Sequence, residues 1–130
     1  EEKVLTLALD RIEKIDFDLS VDYTRERFDA DDFYKNTFGV TVMNDKQLLE
    51  MVLKIDRNNS PYVLTKPFHY SQKVLEKYDD GSVLISIKVH HNFEIERLIL
   101  GFGDSIEVIK PRILRNRIKR KLINALTNYE

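Results

Sequence analysis

Ser71-Gln-Lys-Val-Leu-Glu-Lys-Tyr78 and Ser82-Val-Leu-Ile-Ser-Ile-Lys-Val-His90 flank the tripeptide Asp79-Asp80-Gly81. An Asp-Gly step between two strand-like runs is a hairpin signal, because glycine accepts the positive φ of a tight turn. In the second run Val83, Ile85, Ile87 and Val89 recur at period two. That spacing puts four branched side chains on one face of a strand, and this face is expected to meet the core.

The neighbouring segments extend the pattern. Leu49, Met51, Leu53 and Ile55 also recur at period two, which predicts a strand over residues 47–56. A helical reading stands beside it, because Leu, Glu, Met and Lys are good helix formers. Asn58-Asn59-Ser60-Pro61 reads as a helix entry with Ser60 as N-cap and Pro61 in first position. Pro67 closes that helix early. After the hairpin, Asn92 is placed to cap a helix carrying Ile95, Leu98 and Ile99 and ending at Gly101. Ser105–Ile109 predicts a fourth strand. Pro111 opens a last helix with Leu114, Ile118, Leu122, Ala125 and Tyr129 on one stripe. The order β-α-β-β-α-β predicts an α+β fold: a ferredoxin-like sheet with an additional C-terminal helix. Both inserted helices must then cover one face of the sheet, with right-handed crossovers.

Upstream the signal is weaker. Residues 3–9 alternate loosely and predict a strand, and Ile12, Ile15, Phe17 and Leu19 continue an extended pattern. Residues 20–31 read as a linker. Asp29 to Gly39 reads as a short helix, with acids at its start and a glycine stop. A border is expected near residues 40–45. It divides an acidic, strand-rich lead-in (1–45) from the ferredoxin-like domain (46–130). Residues 1–32 hold eleven acids against five bases, and residues 110–130 hold seven bases against one acid. The net charge is only −1, so the asymmetry carries the signal: the two ends have different partners, or they attract each other or simply face solvent.

Composition removes several classes. At 130 residues, 42% hydrophobic and 33% charged, the chain suits one globular domain or one domain with a fragment of another. It has no cysteine, which excludes disulfides and thiolate zinc sites. No apolar run approaches the roughly 18 residues of a membrane span, and no signal-peptide layout opens the chain. A cytoplasmic location is expected. The start at Glu1-Glu2-Lys3, without Met, is read as that of a fragment, and a processed N-terminus would look the same.

Candidate chemistry is sparse. His69, His90 and His91 are the only histidines. His90 and His91 are adjacent and point to opposite faces of a strand, so no metal site is expected. Ser71 and His69 share a strand face, but no orienting acid or glycine elbow completes a nucleophilic site. Gly101-Phe-Gly103 lacks a phosphate-loop lysine, and Gly101 reads as a helix end. Asp31-Asp32 and Asp79-Asp80 read as cap and turn residues. No catalysis and no cofactor are expected. The last helix is the strongest charged feature. Arg112, Arg115 and Lys119 stand three and four apart and share a flank, while Arg117, Arg120 and Lys121 lie on others. Three readings stand: contact with an anionic effector or nucleic acid, a salt network between subunits, or a solvated face. No aromatic residues interleave with these cations, which argues against single-strand stacking.

Several stretches resemble one family. They are Phe38-Gly39-Val40, Lys66-Pro-Phe-His-Tyr-Ser-Gln72, Leu100-Gly-Phe-Gly-Asp-Ser-Ile-Glu-Val-Ile-Lys-Pro111, and Leu114-Arg115 running on to Ala125-Leu126 and Tyr129. Together they resemble the C-terminal extension of bacterial WYL-domain transcriptional regulators. Leu7-Ala-Leu-Asp-Arg-Ile-Glu-Lys-Ile15 is similar to the end of the preceding WYL core, with Asp10-Arg11-Ile12 at a characteristic step. The Trp-Tyr-Leu tripeptide is absent, and Ala8 stands where the family often has an arginine. The resemblance implies a non-catalytic regulatory part that senses an effector or dimerises, and the partners it implies are a homodimer mate, a nucleotide or nucleic-acid effector, and DNA reached through an upstream helix-turn-helix. It assigns effector contact to Arg11, His69, Ser71, Gln72, Arg112, Arg115 and Lys119; local capping is the other reading of His69, Ser71 and Gln72. A stand-alone ferredoxin-like domain binding a small anionic metabolite or nucleotide is the alternative.

Overall fold

The computed structural model describes residues 4–25, 27–43 and 47–130. Four strands form one antiparallel sheet: β1 (Leu48–Ile55), β2 (Lys73–Lys77), β3 (Val83–His90) and β4 (Ile106–Lys110). The helices are α1 (Ala30–Tyr34), α2 (Ser60–Thr65), α3 (Phe93–Gly101) and α4 (Arg112–Leu126). The strand order is β2-β3-β1-β4, with β1 antiparallel to both β3 and β4 and β2 antiparallel to β3. β1 and β2 therefore run parallel with β3 between them, and β3 and β4 run parallel with β1 between them. This is the doubly split βαβ of the ferredoxin-like fold.

The period-two residues build the core. Met51, Leu53 and Ile55 of β1 and Val83, Ile85, Ile87 and Val89 of β3 are all buried. Opposite them lie Val63 of α2, Ile95 and Ile99 of α3, and Leu114 and Ile118 of α4. Each such side chain contributes roughly 1.5–3 kcal/mol on burial, so this two-layer contact dominates the fold. The helical reading of residues 47–56 fails because its four apolar residues alternate toward the helix layer. The other sheet face carries charge in register: Glu50 is paired with Lys88, and Lys54 with Glu107. Opposite charges directly across strands stabilise each pair modestly.

Several local expectations are corrected. Lys3 lies outside the described residues, and residues 4–9 form no strand. A 3₁₀ turn, Leu9–Arg11, is the first regular element. No strand forms among the described residues before β1, because a strand needs a partner and alternation alone does not supply one. Phe17 stays 97% exposed. The expected border at residues 45 and 46 also lies outside the described residues. α1 is shorter than predicted and ends well before Gly39. Asp29 caps it, accepting from Asp32 N–H at 3.1 Å. Ser60 is not the N-cap of α2; Asn59 is. Asp56 accepts from Asn59 N–H at 2.8 Å and so takes the capping work upstream. Ser60 Oγ instead donates to the Gly81 carbonyl at 2.8 Å, tying α2 to the hairpin turn. Gly101 is the last residue of α3, but the positive φ of this corner belongs to Gly103 (+60°). The α4 stripe buries only Leu114 and Ile118. Leu122 is 45% exposed and Tyr129 nearly free, because a five-residue strand spans about 17 Å while α4 runs on for about 22 Å.

Candidate functional site

The cations of α4 sort into three groups once the helix is packed. Arg115 Nη1 donates to Glu107 Oε1 at 2.7 Å and to the Val108 carbonyl at 2.6 Å. Arg115 thus covers a backbone acceptor of β4, an edge strand that would otherwise offer it to other chains. Arg115 and Lys119 border a groove of about 460 Å³ with Ile106, Val108, Ile118 and Leu122 on its apolar walls. Arg112 does not line this groove, so the predicted flank of three is only partly assembled.

Arg117 and Lys121 face the other way and meet α3. Glu96, 1% exposed, lies between them. Arg117 Nε is 2.5 Å from Oε1, His91 Nε2 is 2.6 Å from Oε1, and Lys121 Nζ is 2.7 Å from Oε2. Only the His91 contact is an aligned hydrogen bond; those of Arg117 and Lys121 are contacts of charge, and Oε2 is left without a hydrogen bond. Burial pushes the Glu96 carboxyl pKa up. Lys121, His91 and Arg117 outweigh that and hold it below the ordinary carboxylate range. Arg120, with Asn116 and Ile113, stands beside Arg117 in a shallow recess on the solvent side of α4. Sequence reading missed this cluster. Its one available signal was that α4 carries six cations and no acid.

His69, Ser71 and Gln72 are brought together after α2, and their polar atoms are engaged locally. His69 Nδ1 lies 2.7 Å from Ser71 Oγ, which also accepts from Lys88 N–H at 2.8 Å. Gln72 Nε2 donates to the Val63 carbonyl at 3.0 Å, and Gln72 Oε1 accepts from Phe68 N–H at 3.0 Å. These bonds lock the α2–β2 corner against β3. Burial lowers the His69 pKa, so the imidazole is neutral near pH 7.

Arg11 is distant in sequence from these groups. It lines a cleft of about 560 Å³ with Val4, Thr6, Leu7, Phe33 and Thr41. No acid lines this cleft. Residues 36–41 bind the cleft's far wall to α3. Asn92 Nδ2 donates to the Phe38 and Thr41 carbonyls, both at 2.9 Å. Glu94 Oε2 accepts from Val40 N–H at 2.9 Å and Thr41 N–H at 2.8 Å. Gly39, at φ +74°, permits the turn, and a Cβ there would collide with the Glu94 carboxylate. No group of three or more His, Asp or Glu able to hold a metal occurs among the described residues. No helix among them is long and apolar enough to cross a membrane.

The sheet order, the single helix-covered face and the cation-rich last helix define a ferredoxin-like α+β domain. Residues 47–126 match the family model of the WCX domain, and the chain belongs to that family. The WCX domain is a C-terminal domain associated with WYL-type regulators, in agreement with the resemblance carried by the sequence. No curated protein matches the chain.

Proposed function

We propose that this chain is the non-catalytic C-terminal regulatory part of a bacterial, cytoplasmic WYL-family transcription factor, and that it helps to sense an anionic effector. The observation that carries the reading is the Arg11 cleft. Its volume is in the range of small-molecule sites. It offers one guanidinium, two threonines and an apolar wall, with no lining acid to neutralise the cation. A nucleotide or a nucleic-acid end presents the matching chemistry: phosphate for Arg11 and a base for the apolar wall. The full regulator then binds DNA through an upstream helix-turn-helix and works as a homodimer, and effector binding shifts which of its arrangements is populated.

The test is fluorescence anisotropy of the 130-residue chain with short single-stranded DNA, RNA and cyclic dinucleotides at two salt concentrations. Arg11→Ala and the triple variant Arg112→Ala, Arg115→Ala, Lys119→Ala are run in parallel. Binding that weakens with salt and falls about tenfold or more in Arg11→Ala supports the cleft. A fall only in the triple variant moves the contact to α4. No binding by the folded chain at either salt overturns the effector reading.

A further inference from the structure

We propose that Arg117, Arg120 and Asn116 form a phosphate-binding site on the solvent side of α4, with Glu96 as the residue that positions Arg117. Glu96 is a single buried carboxylate, yet Arg117 and Lys121 both sit within 2.7 Å of its oxygens and His91 occupies a third approach. One negative charge answers one positive charge, so the cluster keeps a surplus cation even with His91 neutral. Arg120 adds another on the same side. None of the residues lining that recess is acidic.

Geometry adds specificity to the surplus. Arg117 approaches Glu96 with Nε nearest, a contact of charge without an aligned hydrogen bond. A guanidinium paired by charge at its Nε edge leaves its terminal nitrogens to a further partner, and these match two oxygens of a phosphate. Arg117 is 48% exposed on a carboxylate that is 1% exposed, so the fork is anchored from behind and open in front. Asn116 and Arg120 stand four apart and flank the same recess. The sequence singled out the opposite flank. There Arg115 is already committed to Glu107 and Val108.

The shared ligand chemistry is a phosphate group, from a free nucleotide or a nucleic-acid backbone. The site rests on the effector reading only for which of these sources applies. The experiment follows the arginine side-chain Nε resonances of the 130-residue chain by NMR during titration with inorganic phosphate, then with a nucleoside monophosphate, then with a short single-stranded oligonucleotide. Saturable shifts at Arg117 and Arg120 are expected. Arg120→Ala and Arg117→Lys are each expected to weaken binding about tenfold, the latter because lysine keeps the charge but loses the fork. Lys73→Ala, on β2, is expected to change affinity less than about twofold. Non-saturating shifts spread over every arginine would overturn the site, as would Arg117→Lys binding as tightly as the parent. Tighter binding of the oligonucleotide identifies the backbone as the source, and tighter binding of the monophosphate identifies the free nucleotide. If phosphate saturates Arg117 while no nucleotide or oligonucleotide binds, the site stands and the effector reading fails.

Discussion

A carboxylate withdrawn from water needs partners, and Glu96 has three. Removing its charge leaves Arg117 and Lys121 without their shared anion, although both remain about half exposed and regain water. Glu96→Gln is therefore expected to cost about 1–3 kcal/mol, less than the loss of a partner from a fully buried pair. Urea unfolding followed by circular dichroism measures it; an unchanged midpoint would show that the cluster adds nothing net. Sequence reading could not see this residue. Ile95, Leu98 and Ile99 gave the apolar stripe of α3, and an acid beside such a stripe looks like a solvated one. Its burial depends on where α4 crosses, which no local pattern encodes. Arg11, by contrast, was marked by the Asp10-Arg11-Ile12 resemblance, and the structure adds the acid-free cleft around it.

At the level of elements, Asn92 does two jobs. Its Oδ1 accepts from Ile95 N–H at 3.0 Å and caps α3, while its Nδ2 holds two carbonyls of residues 36–41. Asn92→Ser keeps the cap and loses both donations; Asn92→Ala loses everything. Alanine is expected to cost about 2–3 kcal/mol and serine roughly 1 kcal/mol less, since an N-cap contributes about 1 kcal/mol. Thermal melts of the two variants separate the contributions, and equal losses would mean that the cap is idle. Asn92 was legible because its cap is local, as was the strand at Val83, Ile85, Ile87 and Val89. Ser60 misled because Asp56, four residues upstream, competes for the same helix end. The apolar residues of the lead-in misled for a different reason: pairing is nonlocal, and Leu5, Leu7 and Phe17 have no strand beside them here.

Across the whole molecule, acid should loosen the helix layer first. Glu96 and Glu94 both have lowered pKa values. In each, burial acts upward and is outweighed, by Lys121, His91 and Arg117 for Glu96 and by the Thr41 and Val40 amides for Glu94. A depressed carboxylate contributes stability above its unfolded pKa, about 4.3, and loses it as pH falls through the lower folded value. The urea midpoint is expected to hold from pH 7 to about 5 and to drop below about 4.5. In Glu96→Gln the drop should be shallower. A midpoint flat down to pH 3 would contradict the assignment.

The strap formed by residues 36–41 also bears on how the chain is divided. The family match begins at residue 47, but the partners of Asn92 Nδ2 and the Glu94 carboxylate lie between Phe38 and Thr41. A protein engineer who trims at the match would strip α3 of four hydrogen bonds and leave its first turn bare. A border placed before Asn36, whose carbonyl also receives His90 N–H, keeps them all, so the unit that should be expressed or transplanted is longer than the unit that sequence families delimit.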